Sequence, residues 1–248
     1  KVKTICSVLI LFLLLPSLSF SQTINKVEQL SGHLYQIGSQ QKIPLYRWEI
    51  LLSRDRWVTR YYELNGQLAA EDEMILENTK VKSYNYVRYS INEKAHLNIN
   101  NNNLEYTQNL NGKSRTSIKQ KEPNFLTGPM IIPFIWSRWK DLVAGKTITI
   151  NYGVLDQLRS FNFDLSMDKT YPASKQDTVV IKMRASSFIV RFFVDPIYLV
   201  FSKSDRVFLK GIGRTLIVVK KGNRLKPIDA ELVIENGSYT NIPFIQIP

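Results

Sequence analysis

The sequence predicts a mainly β protein: a curved antiparallel meander, as a half-barrel, barrel or two-layer sheet, with one packed amphipathic helix around residues 129–144. Three observations predict it. After Ile43 polar and apolar residues alternate along most of the chain, the period of a strand with one dry face. Pairs such as Asn65-Gly66 and Asn111-Gly112 interrupt the alternation at short intervals, and Asn-Gly supplies the positive φ angles of tight hairpins. Between Thr127 and Gly145 the spacing changes to threes and fours.

Leu45–Leu51 reads as the first strand of the meander, with a turn at Ser53-Arg54-Asp55-Arg56 and a return along Trp57–Leu64. Beyond Asn65-Gly66 comes the densest acid cluster. On a strand Glu71, Glu73 and Glu77 share one face, while Asp72 joins Met74 and Leu76 on the other. A strand sets carboxylates in a row, whereas calcium sites bend the backbone around the ion, so the cluster reads as a solvated face. Lys80–Ile91 sorts Val81, Val87 and Tyr89 onto a drier face, and Lys82, Tyr84, Tyr86 and Arg88 onto a wet, aromatic one. The asparagines of 98–103 form a hairpin tip, and Lys113–Gln120 the strand after Asn111-Gly112.

Ile132, Ile135, Trp136, Trp139, Leu142 and Val143 make one helical stripe. Thr127 can cap its start, Pro129 and Pro133 suit the first turn, and Gly145 suits the left-handed residue that ends a helix. Such a helix packs across a sheet or plugs the open end of a barrel.

Strands resume at Thr147–Tyr152 and Leu158–Ser166, then through Val179, Ile181 and Met183. The run Ser186–Val194 is too apolar to assign by period, but serines at its start and Asp195-Pro196 at its end favour a short helix. Ile197–Ser202, Arg206–Lys210, Arg214–Val219 and Ala230–Glu235 complete the strands, with turns at Ser204-Asp205, Gly211-Ile212-Gly213 and Gly222-Asn223. Close to a dozen strands must curl or split into layers to hide their edges.

The first 21 residues read as an export signal: Lys1 and Lys3, the apolar run Ile5–Leu15, Pro16, then Ser19-Phe20-Ser21 before Gln22. A spanning helix needs about twenty apolar residues, and Pro16 interrupts the run before that length. The expected product is one β-rich domain over residues 22–248, not transmembrane after cleavage, in the periplasm of a Gram-negative bacterium; a retained anchor is the alternative. Cys6 leaves with the signal, which removes disulfides, thiolate nucleophiles and cysteine zinc sites together. Loss of Lys1 and Lys3 takes the formal charge from +12 to +10, which points to anionic envelope surfaces as partners. Nucleic acid is not expected there.

Several stretches resemble a family of exported bacterial proteins of unknown function. They are Trp57-Val58-Thr59-Arg60-Tyr61-Tyr62 with Asn65-Gly66, then Trp136, Trp139 and Ala144-Gly145-Lys146. Met183-Arg184-Ala185-Ser186-Ser187-Phe188 leading into Val194-Asp195-Pro196-Ile197, and Phe201-Ser202-Lys203-Ser204-Asp205-Arg206, complete the pattern. The resemblance spans most of residues 22–248 and implies a curved sheet, a capped helix and export; it carries no activity. In architecture the pattern is similar to the half-barrels of periplasmic lipoprotein carriers, which hold an acyl chain between a sheet and a helical lid.

Catalytic chemistry finds no motif. His33 and His96 lack H-E-x-x-H spacing and read as surface residues; neither a nucleophile elbow nor a phosphate-binding glycine loop occurs, and no metal or cofactor is expected. Arg191 is the single charge between Phe188 and Val194, and a charge in a dry segment needs a partner. That partner is an internal carboxylate such as Asp195, or an anionic head group in a cavity. The expected function is therefore binding of a hydrophobic or amphiphilic ligand, a lipid for example, inside the curved sheet, with Arg191, Trp136 and Trp139 as lining residues. A scaffold docking an anionic polymer or protein through the Tyr84, Tyr86 and Arg88 face is the alternative. A hydrolase using scattered carboxylates such as Asp164 and Asp168 ranks last.

Overall fold

In the computed structural model, which describes residues 28–171, 177–192, 194–222 and 224–237, alternation of buried and exposed side chains builds fifteen strands into one sheet. The expected signal, with Lys1, Lys3 and Cys6, lies outside the described residues, as do Phe193 and Asn223 of the expected short helix and last turn. The first half is a meander of eight strands: β1 (Glu28–Tyr35), β2 (Pro44–Leu52), β3 (Arg56–Tyr62), β4 (Leu68–Glu77), β5 (Lys80–Arg88), β6 (Glu93–Ile99), β7 (Asn103–Leu110) and β8 (Lys113–Gln120). A short strand, β9 (Phe125–Leu126), leads into helices α1 (Ile131–Ser137) and α2 (Trp139–Val143). The second half is β10 (Ile148–Val154), β11 (Arg159–Met167), β12 (Thr178–Ala185), helix α3 (Phe188–Arg191), β13 (Ile197–Ser202), β14 (Phe208–Lys221) and β15 (Arg224–Asn236). The curved antiparallel meander is what the sequence predicts; the exception is β9, which pairs parallel with β10.

The strand order runs from β8 through β1, then β15 down to β9. The seam between the two halves, β1 against β15, therefore lies mid-sheet, joining residues about two hundred positions apart such as Gly32 and Ile234. Gly32 is required there. A Cβ on it would land on the carbonyl oxygen of Val233, which already accepts a hydrogen bond from Trp48 Nε1 at 3.2 Å. Gly32→Ala is expected to force these backbones apart and cost about 1–3 kcal/mol, read as a lower urea midpoint; an unchanged midpoint would show that the seam gives way freely.

The sheet curls until its two ends face one another without pairing. Tyr106 of β7 lies against Gly153 of β10, Arg115 of β8 donates to the Asp156 carbonyl at 3.2 Å, and the ring of Tyr84 on β5 lies 2.5 Å from where a Cβ of Gly128 would sit. Inside the curl sit Trp48, Trp57, Met74, Leu97, Phe134 and Phe201, all nearly inaccessible. The outer edge, β8, is exposed along almost its whole length and carries Lys113, Arg115 and Lys119, which discourage pairing with another chain.

Antiparallel order sends alternate connections to opposite rims. One rim carries the links β1–β2, β3–β4, β5–β6, β10–β11, β12–β13 (with α3) and β14–β15. The other carries the hairpin tips at 53–55, 78–79 and 100–102, the β13–β14 link, and the return from α2 into β10.

Four features differ from the sequence expectation. The single helix is broken at Arg138 (φ −105°, ψ 11°) into α1 and α2, although the predicted stripe is the buried one, with Ile132, Ile135, Trp139 and Leu142 inside. β1 precedes the expected first strand. Gly211–Gly213 is no turn: β14 runs straight through it, with Gly213 at φ +133°, a backbone conformation that favours glycine, and a Cβ there would sit a tight 3.2 Å from Ile197 Cα on β13. The face of Tyr84 and Tyr86 points inward. Both are opposed on β4 by Met74 and Asp72 and on β6 by Leu97 and Ala95, interior residues all, while Tyr89 is exposed and Val87 half-buried. That face cannot dock an outside partner.

Candidate functional site

A cleft of about 950 Å³ opens at the rim of the hairpin tips. Its floor is apolar: Val81 from the start of β5, Ile99 from the end of β6, and Phe125 and Met130 from the segment that runs inside the curl. Its mouth is polar and mainly cationic. Lys80, Lys82 and Lys121 surround it together with the amides of Asn100, Asn101 and Asn102. Glu77 is the acid at the mouth, and Lys82 neutralises it at 3.0 Å. Among the described residues Lys80 and Lys121 have no carboxylate partner, and burial followed by the charge of Lys80 pulls the Lys121 ammonium below its usual pKa.

Local chain geometry builds this mouth. Asn78 and Thr79 both take positive φ, 50° and 68°, to reverse β4 into β5, and the Lys121 amide donates to the Asn102 carbonyl at 2.8 Å, which ties the exit of β8 to the β6–β7 tip. The floor is fixed from behind. Thr127 donates its hydroxyl to the Gly153 carbonyl at 3.3 Å, its amide contacts Met130 Sδ at 3.4 Å, and Tyr152 donates to the Gly128 carbonyl at 3.0 Å. Gly128 has φ +49°, and the ring of Tyr84 occupies the space any side chain would need.

Behind that floor sits Asp72, fully enclosed on β4. Burial raises its carboxyl to about 7, a hydrogen bond from Thr59 works against the rise, and Glu71 adds to it. Burial first, then the charge of Asp72, pushes Tyr84 and Tyr152 above the usual tyrosine value. A carboxyl among phenols can hold a proton near neutrality where an exposed aspartate would not.

A second buried polar cluster lies at the opposite rim. Arg88 reaches Glu93 at 2.9 Å and Asp156 at 3.2 Å through Nη1, and the Leu216 carbonyl at 2.9 Å through Nε. Glu93 also accepts from Tyr86 at 3.1 Å and from Gln108, whose own oxygen accepts from Arg115. Burial alone would lower the Arg88 pKa, but the neighbouring Tyr86, Glu93 and Asp156 hold it above its usual value. Every member is satisfied. The cluster clamps β5, β6, β7, β8, β14 and the 155–157 turn, and is a structural tie.

The expected lining residues fall elsewhere. Trp139 is buried edge-on to Phe201 at 5.6 Å, and Trp136 donates its indole N–H to the Arg206 carbonyl at 2.8 Å, so the two meet at the β13–β14 link. Arg191 lies apart from them. It donates to the Ala185 carbonyl at 2.6 Å and pairs with Asp164 at 3.4 Å, so its partner is an internal carboxylate, Asp164 in place of Asp195. None of the three lines the cleft.

Asp164 is also held by Thr149 and Ser186, and Asp168 by Thr170 and Lys182, so each acid of the hydrolase reading is engaged locally. His33 pairs with Glu235, and His96 contacts Asn85 on the outer face. No group of three metal-ligating side chains occurs among the described residues, and no helix there is long and apolar enough to cross a membrane.

Sequence reasoning missed Lys80, Lys121 and Asp72. Asp72 carried a signal, since the alternation had already placed it with Met74 and Leu76; the two lysines are far apart in sequence and meet only through the curl. Comparison with family models, with curated proteins and with solved structures finds no match.

Proposed function

We propose that this is an exported envelope protein, periplasmic in a Gram-negative host, that binds an anionic amphiphile in the cleft without transforming it. The apolar tail lies on Val81, Ile99, Phe125 and Met130, and the head group meets Lys80 and Lys121 at the mouth. The observation that supports this reading is two cations without carboxylate partners above an apolar floor. A volume of about 950 Å³ lies near the top of the roughly 300–1,000 Å³ usual for small-molecule sites. A pair of charge-assisted contacts of about 1.5–3 kcal/mol each favours an anionic head over a neutral one of the same length.

Titration with lysophosphatidylglycerol and lysophosphatidylcholine, followed by native mass spectrometry, tests it. The purified protein is expected to take up one anionic lipid, and Lys80→Glu with Lys121→Glu to weaken that binding by about ten-fold or more while leaving the weaker neutral lipid unaffected. Uptake of neither lipid, or equal uptake of both by the charge-reversed variant, would overturn the reading.

A further inference from the structure

Among the described residues, the rim opposite the cleft gathers most of the large exposed apolar side chains. Of the ten large ones exposed among the described residues, eight stand at that rim, seven on its connections and Leu225 at the start of β15. Three belong to α3 and its end: Phe188, Ile189 and Phe192 are 69–72% exposed. Ile37 and Ile43 lie in the β1–β2 loop, Leu64 and Tyr89 come from two further connections, and Leu225 is the second residue of β15 beside the β14–β15 turn.

These side chains are displayed on a firm base. Arg191 ties α3 to the Ala185 carbonyl and to Asp164, while Val190 and Val194 pack into the core. The rings of Phe188 and Phe192 meet edge to face at 4.9 Å on the outer side. Beside them the β14–β15 hairpin extends past the start of β13 and lies on the 89–91 turn, held by Arg88 to the Leu216 carbonyl and by Ser90 to the Val218 carbonyl. Its tip carries Lys220, Lys221, Arg224 and Lys226, all exposed, with no acid between them in sequence.

We propose that this rim docks onto an anionic lipid bilayer. Apolar side chains spread over several loops, with a basic hairpin tip among these loops, suit a soft surface that each loop can enter separately, and aromatic rings favour the head-group layer. The basic hairpin tip supplies the charge complement to anionic head groups. A protein partner would be served by one continuous apolar patch; the arc of separate tips favours the bilayer. The proposal does not depend on the cleft, which faces the other way.

Flotation of the purified protein with vesicles of phosphatidylethanolamine containing phosphatidylglycerol, against vesicles of phosphatidylcholine alone, decides it. The protein is expected to rise with the anionic vesicles and stay behind with the neutral ones. Phe188→Ser with Phe192→Ser, and separately Lys220→Glu with Lys221→Glu, are each expected to weaken vesicle binding by about ten-fold or more and, because both pairs are exposed, to leave the circular dichroism unchanged. Failure of the unaltered protein to rise, or full binding by both variants, overturns the proposal. So does loss of flotation in the Lys80→Glu, Lys121→Glu variant, which would route the contact through the cleft. Capture of a protein through Phe188 and Phe192 without any vesicle binding would assign the rim to a protein partner and likewise overturn it.

Discussion

Arg88→Met is expected to destabilise the protein by about 3–5 kcal/mol, because it leaves Glu93 charged and enclosed without its cation. The side chains of Arg88 and Glu93 are 12% and 3% exposed, so solvent screening gives little relief. The loss extends beyond the pair. Arg88 also satisfies the Leu216 carbonyl and draws in Asp156, so its removal loosens the β14–β15 hairpin from the 89–91 turn and the sheet's two ends from each other. Urea unfolding should show the drop, and Arg88→Met combined with Glu93→Gln should recover part of it by removing the stranded charge. A single variant as stable as the unaltered protein would mean that water reaches Glu93.

Asp72→Asn is expected to have the opposite sign, with an effect that sets in above about pH 4 and is complete just above neutrality. The carboxyl has a folded pKa of about 7 against an ordinary value of 3.8, so the folded state holds the proton more tightly than the unfolded chain does. Its contribution is therefore fully present below about pH 4 and is lost as the pH climbs through the folded value, at about 1.4 kcal/mol per unit across that window. Above pH 7 the ionised group costs up to about 4 kcal/mol, which an asparagine avoids. Unfolding midpoints of the two proteins should coincide near pH 4 and separate by about pH 8.5 in favour of the asparagine variant. A gap independent of pH would show that Asp72 is ionised throughout. The position matters for the cleft, since Asp72 faces the tyrosines that carry Gly128 and, through it, Met130 of the floor.

Much of the fold was legible in the sequence because its causes are local. Asn111-Gly112 turns as read, with φ values of 51° and 80°, and the asparagine tract does form a hairpin tip. The Ile132, Ile135, Trp139 and Leu142 stripe is buried even though the helix breaks beneath it at Arg138. The short helix after Ser187 is present, although the Ser187 side chain does not cap it.

What could not be read depends on distant neighbours. Hydropathy ranks Tyr84, Tyr86 and Arg88 as a wet face, but β4 and β6 surround them with Met74, Leu97 and Ala95, and tyrosine buries well once its hydroxyl has a partner, as Tyr86 has in Glu93. Gly211 and Gly213 carry the composition of a turn; only the approach of Ile197 shows that they serve a strand. The cleft is the clearest case. Its lysines sit on separate hairpins whose meeting is set by the curl of the whole sheet, and no local pattern encodes that curvature.

The seam between β1 and β15 also dictates when the molecule can become whole. Hairpins such as β4–β5 and β6–β7 close over a few residues and can form as soon as they exist, but β1 waits for a partner about two hundred residues downstream. Until then the earliest strand presents an open flank in the middle of the future sheet, with Leu30 and Leu34 beside it, and that flank is a template for the wrong chain. Completion of the last strand thus acts as the latch on the whole assembly, and the tight backbone crossing at Gly32 is where the latch engages.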